Sequence, residues 1–207
     1  MIIYTAPNMP NPRIVEMIVL EKQMDVDFHK IDAIAGENRE SDFVAKNPLG
    51  QLPALETDDG QVITEVSAIA EYFEELKPDP ILVGDTANTR AEARMWARRV
   101  DLMILSPMTM GFQNSIAKKF FEGRIKLYPE IGDSMIDKAN EGLATLDGLM
   151  AGKQYLCGNR LTFGDIMLFC YLDFYRKVGQ KVDPGLVHLT EFFNTMLERD
   201  SDQQTAP

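Results

Sequence analysis

The stretch Asn47-Pro-Leu-Gly-Gln-Leu-Pro-Ala-Leu55, followed by Ile63-Thr-Glu-Val-Ser-Ala-Ile69, decides how this chain is interpreted. The first segment is typical of a loop that turns sharply at a proline and then enters a strand. The second is typical of a tight turn that opens a helix on an acidic residue, Glu65. A proline-fixed backbone edge beside a helix N-terminus can bind a small peptide-like anion, because the edge pairs with its main chain and the helix end with its carboxylate.

The composition indicates a globular protein of one large domain or two small ones. Of 207 residues, 45% are hydrophobic and 26% charged, which is ordinary for such proteins. No apolar run is long enough to span a bilayer, and residues 1–5 predict a buried strand rather than a signal peptide. The net charge of −11 would repel polyanions, so we expect neither nucleic acid nor a membrane surface as a partner.

The cysteines and histidines are few. Cys157 and Cys170 do not form a Cys-x-x-Cys pair, so we expect no disulfide framework and a cytoplasmic location. His29 and His188 are too scattered to indicate a metal site, and no metal is expected.

The first part of the chain, residues 1–77, alternates between strand and helix signals. Their order is βαβ, a short helix, then ββα, which is the thioredoxin-like order with a mixed sheet. Asp58-Asp-Gly60 is a strong hairpin-turn signal between the last two strands.

The second part predicts an all-α helical-bundle domain over residues 89–200, after a proline-containing linker at 78–88. We expect Pro107 to break or kink its first helix. Residues 201–207 are polar and predict a disordered tail. Within this domain, Thr162 and Asp165 form a variant of the capping box, worth about 1 kcal/mol or more for the cap, and Leu161 and Ile166 stand at the hydrophobic staple positions.

Three motifs, at 47–53, 65–69 and 159–165, occur in an order and spacing that resemble the cytosolic glutathione transferase family over nearly the whole chain. The resemblance implies a cytosolic homodimer with glutathione as co-substrate. It also implies a detoxification enzyme that conjugates the glutathione thiolate to electrophilic apolar small molecules.

The resemblance assigns the glutathione contacts. Pro53 would follow a cis peptide bond, so that the N–H and C=O of Leu52 pair with the cysteinyl main chain. Glu65 would bind the γ-glutamyl ammonium and the N–H of Val66 the carboxylate. The family's usual serine is replaced by Val66, which leaves Ser67 as the nearest hydroxyl. The alternatives are an ordinary loop proline and an acid favoured by the helix dipole.

Two further residues complete the implied binding site. Gln51 belongs to the same loop. Asp101 would reach the γ-glutamyl ammonium across a dimer interface. The alternative for Asp101 is a solvated helix acid paired with Arg98, or with the nearby Arg94 and Arg99.

The catalytic assignment concerns the loop before Arg13. Lowering a thiol pKa of roughly 8.5 by about two units requires about 2.7 kcal/mol of thiolate stabilisation. Met9 occupies the position of the family's usual Ser or Cys donor, and Pro10-Asn11 resembles the family groups that have Asn after Pro. The resemblance therefore implies Asn11 as the candidate, with its side-chain amide donating to the sulfur. Thr5, Tyr4 or a backbone amide is the fallback.

Asn11 has a structural alternative as well. It could instead cap a helix that begins at Pro12 or Arg13.

The second substrate is expected to contact apolar side chains that suit an adaptable pocket. These are Met9, Met103, Met108 and Phe112, for most of which a place in the core is the alternative. Because Met9 and Val66 depart from the family pattern, a non-catalytic binding or assembly protein on this fold remains open. A glutathione-dependent peroxidase or reductase is a third possibility.

Overall fold

The computed structural model describes residues 1–205. The chain divides into two compact units, one formed by residues 1–90 with the segment from Leu197 onward, the other by Ala91–Met196. Within residues 1–205, every helix is too short or too polar to cross a membrane.

The first unit contains a mixed four-stranded sheet of order β2-β1-β3-β4. β1 is parallel to β2 and antiparallel to β3, and β3 is antiparallel to β4. Its elements are β1 (Ile2–Thr5), α1 (Pro10–Glu21), β2 (Asp27–Lys30), α2 (Ser41–Val44), β3 (Ala54–Glu56), β4 (Val62–Thr64) and α3 (Val66–Leu76). This order and mixed sheet confirm the predicted thioredoxin-like fold.

The two faces of the sheet bury different side chains because residues alternate along each strand. Ile3 and Leu55 are paired neighbours on one face, and both are fully buried. Tyr4 and Ala54 are the next pair along and form a cluster on the other face with Phe43 of α2.

The second unit is all helical, as predicted. Its helices are α4 (Ala87–Val100, whose first residues lie in the first unit), α5 (Ser106–Gly111), α6 (Lys118–Phe121), α7 (Gly132–Leu149), α8 (Phe163–Lys177) and α9 (Val187–Leu197). α4 begins inside the predicted linker.

Pro107 does not break the helical path, which corrects the predicted break. A π-helical turn, Asp101–Leu105, directly precedes α5, and a second, Phe112–Ile116, follows it. A proline cannot donate to the carbonyl one α-turn earlier, here that of Met103. α7 approaches this carbonyl closely, because a Cβ on Gly142 would lie 2.3 Å from the Met103 oxygen.

The start of α8 has the predicted capping box. The N–H and hydroxyl of Thr162 donate to Asp165 Oδ2 over 2.8 and 2.7 Å, and the N–H of Leu156 donates to Oδ1 over 2.7 Å. Asp165 is fully buried. Burial outweighs these hydrogen bonds and raises the pKa of Asp165 to about 6.

The segment after α3 is held by a buried ion pair. Lys22 has no exposed surface, bonds Glu74 at 2.6 Å, and donates to the carbonyls of Lys77 and Pro80, each over 2.8 Å. The Glu74 carboxylate also accepts from three consecutive N–H groups, those of Leu82, Val83 and Gly84.

The predicted disordered tail is wrong for residues 201–205. They belong to α10 (Asp200–Thr205), which contacts α1. Ser201 and Asp202 are buried, and Asp202 pairs with Arg13. Polar composition suggested disorder, but these polar groups find complementary partners on α1. Ala206 and Pro207 lie outside the described residues.

Candidate functional site

The loop before β3 is held by two asparagines. Asn47 is 2% exposed. Its Nδ2 donates to the Gln51 carbonyl over 2.7 Å, and its Oδ1 accepts from the Leu49 N–H over 3.2 Å. Asn38 Nδ2 donates to the Gly50 carbonyl over 2.6 Å. Asn38 was not among the predicted residues, because it lies outside the motif and no local signal in the sequence indicates its role.

The Leu52–Pro53 peptide bond is cis, as the resemblance implied. Pro53 is buried, Leu52 is half-buried, and Gln51 is exposed. The exposed Gln51 and the half-buried Leu52 therefore form the accessible end of this loop.

Glu65 has an unusual backbone conformation at the start of α3. Its φ is 71° and its ψ 125°, in a left-handed region that a residue with a Cβ rarely adopts. Such a conformation costs about 1–3 kcal/mol and persists only where the surroundings enforce it, often at functional sites. The Glu65 side chain is exposed.

The first turn of α3 presents backbone donors. The Ile69 N–H donates to the Glu65 carbonyl over 3.0 Å. The N–H groups of Val66, Ser67 and Ala68 come before this bond, at the end of the helix that attracts anions. The Val66 side chain is buried, whereas Ser67 is exposed.

The strand register brings these segments to one edge of the sheet. Ala54 pairs with Tyr4 of β1 on one side and with Thr64 of β4 on the other. Pro53, one residue before Ala54, therefore lies between the end of β1 and the residue after β4, Glu65. The loop that leads into α1 leaves β1 at this same edge.

That loop contains the catalytic candidate. α1 begins at Pro10 with Met9 as its N-cap residue, so the alternative in which Asn11 caps a helix starting at Pro12 or Arg13 is wrong. Asn11 is a half-buried residue of the first helical turn. Pro10 and Pro12 have no N–H, and the Arg13 N–H donates to the Met9 carbonyl over 3.3 Å.

The two fallback hydroxyls already have carboxylate acceptors. The Tyr4 hydroxyl donates to Glu56 Oε2 over 2.6 Å, and the Thr5 hydroxyl donates to Glu16 over 2.5 Å. Burial and the bond to Glu56 raise the pKa of Tyr4, which makes its hydroxyl a weaker acid. Asn11 stays a prediction for the donor to the thiolate.

In the helical unit, Asp101 pairs with Arg98 over 2.7 Å and accepts from the Ser106 hydroxyl over 2.9 Å. The pairing of Asp101 with Arg98 matches the alternative in which Asp101 is a helix acid paired with a neighbouring arginine. Such half-exposed pairs contribute about 0–1 kcal/mol, so Asp101 can change partners at small cost.

The apolar candidates of this unit differ in burial. Met108 is 2% exposed and belongs to the core, which corrects its assignment to an open pocket. Met103 and Phe112 are half-buried. The Phe112 ring makes edge contacts with Phe121 and Phe174, with ring centroids 6.0 and 5.0 Å apart.

A cavity of about 530 Å³ lies elsewhere in this unit, at the C-terminal end of α8 and along α9. Its lining includes Leu172, Arg176 and Phe193, and none of the predicted pocket residues.

Burial raises the pKa of Cys157 to about 11, so this thiol is protonated at neutral pH.

Comparison with known proteins connects part of this chain to a translation factor. Elongation factor 1-gamma 2 of rice is 28% identical over 171 residues, which cover 78% of this chain and 38% of that protein. The chain thus spans well under half of that relative.

Other matches cover both units. Residues 8–76 match the model of the glutathione S-transferase N-terminal domain, and residues 133–200 that of the C-terminal domain. Glutathione S-transferase 2 of Saccharomyces cerevisiae is 32% identical over 97% of this chain and 87% of its own. The crystal structure of Gtt2 from the same yeast superposes with a TM-score of 0.93 at 31% identity, covering 99% of this chain and 100% of that one. The chain therefore belongs to the glutathione S-transferase family.

Proposed function

We propose that this chain is a glutathione transferase that conjugates the glutathione thiolate to electrophilic apolar small molecules. The observation that carries the proposal is the left-handed Glu65 at the start of α3, which the strand register puts next to the cis Leu52–Pro53 bond. A peptide-like anion requires both features, an edge for its main chain and a helix end for its carboxylate.

In this proposal, Leu52 pairs with the cysteinyl main chain, and the exposed Glu65 binds the γ-glutamyl ammonium. The N–H of Val66 binds the γ-glutamyl carboxylate. Because the Val66 side chain is buried and apolar, the hydrogen bond of the hydroxyl that the family usually places there is lost unless Ser67 substitutes for it, and Ser67 is our candidate. A hydrogen bond to a charged group contributes about 1.5–3 kcal/mol, so Ser67 influences affinity. Gln51 borders the same site.

The chemical step is nucleophilic substitution or addition by sulfur. The thiol gives its proton to water, the Asn11 side-chain amide donates to the resulting thiolate, and the sulfur electron pair forms a bond to the electrophilic carbon. In substitution the leaving group departs with the electron pair of its bond to that carbon. In addition the atom next to the attacked carbon takes up a proton from water. Thiolate stabilisation and proximity are the main catalytic contributions, and Met9, Met103 and Phe112 supply apolar contacts to the electrophile.

We further propose a cytoplasmic homodimer with a role in detoxification, in which Asp101 exchanges Arg98 for the γ-glutamyl ammonium of the partner's glutathione. The second candidate function is a binding or assembly protein without transferase activity. The buried Val66 and the match to elongation factor 1-gamma 2 favour this alternative. A glutathione-dependent peroxidase or reductase would use the same thiolate.

The test is a pH titration of the thiolate absorbance of glutathione with saturating protein. We expect a bound pKa well below that of free glutathione. Asn11→Ala should raise this pKa without abolishing binding, whereas Glu65→Gln should weaken binding strongly, because it keeps the size of the side chain and removes its charge.

Glu40→Gln, a change at an exposed acid of the same unit, is the matched control and should leave binding intact. An unshifted thiol pKa on the bound protein would refute the transferase. Failure to bind glutathione at all would favour the assembly protein.

A further inference from the structure

The helix α10 and the residue directly before it, Arg199, form ion pairs with both ends of α1. At the N-terminal end, the Arg13 guanidinium pairs with Asp202, and its Nε donates to the Thr205 hydroxyl over 3.3 Å. At the C-terminal end, Arg199 donates to both carboxylate oxygens of Glu21, each over 2.7 Å. Residues almost 190 positions apart therefore determine how α1 is held.

The two ion pairs are both largely buried. The Arg13 and Asp202 side chains are 9% and 10% exposed, and at the other end Arg199 is 28% and Glu21 11% exposed. Asp202→Asn would leave Arg13, and Arg199→Gln would leave Glu21, without its ionic partner and with little access to solvent. The two changes therefore differ mainly in which end of α1 they affect.

The first turn of α1 contains two prolines. Pro10 and Pro12 cannot donate a backbone hydrogen bond, and the Arg13 N–H donates to the Met9 carbonyl over 3.3 Å, longer than the usual 2.9–3.0 Å. Asn11 belongs to this turn. The Arg13 side chain, two residues after Asn11, connects the turn to α10.

We propose that Asp202 is a positioning residue, which holds Arg13 and thereby orients Asn11 toward the glutathione sulfur. This inference rests on the function proposed above. It gives α10 a role in the reaction, although no atom of Asp202 is required to touch the substrate.

The sign of the pKa change separates positioning from simple electrostatics. Asp202→Asn removes a negative charge, and by charge alone that change favours the thiolate and lowers the bound thiol pKa. Loss of positioning moves the Asn11 amide away from the sulfur and raises the pKa instead. The two explanations predict opposite shifts.

The experiment compares Asp202→Asn with Arg199→Gln, which weakens the same helix at the other end of α1. Thiolate titration of bound glutathione should show a rise of about one pKa unit in Asp202→Asn, a tenfold fall in the acid dissociation constant of the thiol, and no comparable rise in Arg199→Gln. Thr205→Val removes the contact with Arg13 Nε and the hydroxyl's own bond to the Ser201 carbonyl, leaves the Arg13–Asp202 pair in place, and should give a smaller rise. This variant keeps the test available if Asp202→Asn does not fold.

Three other results would overturn the inference. Suppose that the thiol pKa of glutathione bound to the unsubstituted protein is lowered as expected, and that it does not rise in Asp202→Asn or Thr205→Val. This result would refute the positioning role of Asp202 and leave the proposed transferase function standing. Equal rises of the bound thiol pKa in Asp202→Asn and Arg199→Gln would mean that α10 only stabilises the fold and does not position Asn11. An unshifted pKa in the unsubstituted protein would refute the proposed function and this inference with it.

Discussion

Replacing Lys22 with Met should destabilise the first unit strongly. Lys22 is fully buried, and its ammonium bonds Glu74 and two backbone carbonyls. Methionine fills a similar volume but leaves the Glu74 carboxylate without its cation. Removing one partner of a buried ion pair costs about 3–5 kcal/mol, while the three N–H groups that still bond Glu74 place the loss toward the lower end.

The double variant Lys22→Met with Glu74→Gln should be more stable than Lys22→Met alone. Glutamine removes the orphaned charge and keeps an oxygen to accept from the backbone N–H groups of residues 82–84. Urea unfolding at pH 7 measures both changes, since the midpoint and slope together give the free energy of unfolding. The two compact units of the chain can unfold separately, so the unfolding of each unit is followed by a signal specific to that unit.

Lys177→Gln is the matched control, because the Lys177–Asp173 pair lies on the surface of α8, with Lys177 47% exposed. We expect a change below about 0.5 kcal/mol there. A loss of unfolding free energy in Lys22→Met no larger than in this control would contradict the stabilising role of the buried pair. A double variant less stable than Lys22→Met would contradict it as well.

The same pair predicts an acid dependence. Burial would raise the pKa of Glu74, but Lys22 and the backbone N–H groups outweigh it and hold the pKa below its usual value. A carboxyl with a lowered folded pKa contributes stability above its unfolded pKa and loses that contribution as the pH falls through the folded one. The penalty of Lys22→Met should therefore shrink below about pH 4.5.

Two further predictions concern α8 and the loop before β3, which contains Gly50. The folded pKa of Asp165, about 6 against 3.8 unfolded, means that its contribution to stability falls as the pH rises from about 4 to 6. The loss of unfolding free energy in Asp165→Asn should therefore be largest near pH 4 and smaller by about 3 kcal/mol above pH 6, as measured by urea titration across pH. Gly50→Ala should weaken retention on glutathione resin, because φ is 61° and the new Cβ would lie 2.8 Å from the Asn38 carbonyl oxygen. Gly60→Ala, with φ 85° and no atom within 4 Å of the added Cβ, carries only the backbone strain and should retain binding; equal loss in both variants would contradict the steric argument.

Features encoded by neighbouring residues could be predicted from the sequence. The capping box needs only Thr162 and Asp165, three positions apart, and the hairpin turn needs only Asp58-Asp-Gly60. The acid that opens α3 was predicted from the local pattern, whereas the cis bond before Pro53 was implied by the family resemblance. These parts of the candidate site depend on local conformation, which short motifs specify.

Features that depend on distant partners were missed or wrong. Lys22 is fully buried, although lysine is almost never buried unless paired, and nothing near it in the sequence indicates its acceptors. The hydroxyls of Tyr4 and Thr5 were the fallback donors to the thiolate, but in the structure they donate to Glu56 and Glu16.

The sequence by itself determined the order of strands and helices along the first unit and the helical nature of the second, because hydrophobic periodicity and turn chemistry act over a few residues. Only the tertiary structure decided that residues 201–205 form a helix, and that Asp202 contacts Arg13. A charged side chain is stable in solvent or in a buried pair, and its own sequence neighbourhood does not distinguish the two. The choice depends on whether folding brings a complementary charge within hydrogen-bonding distance.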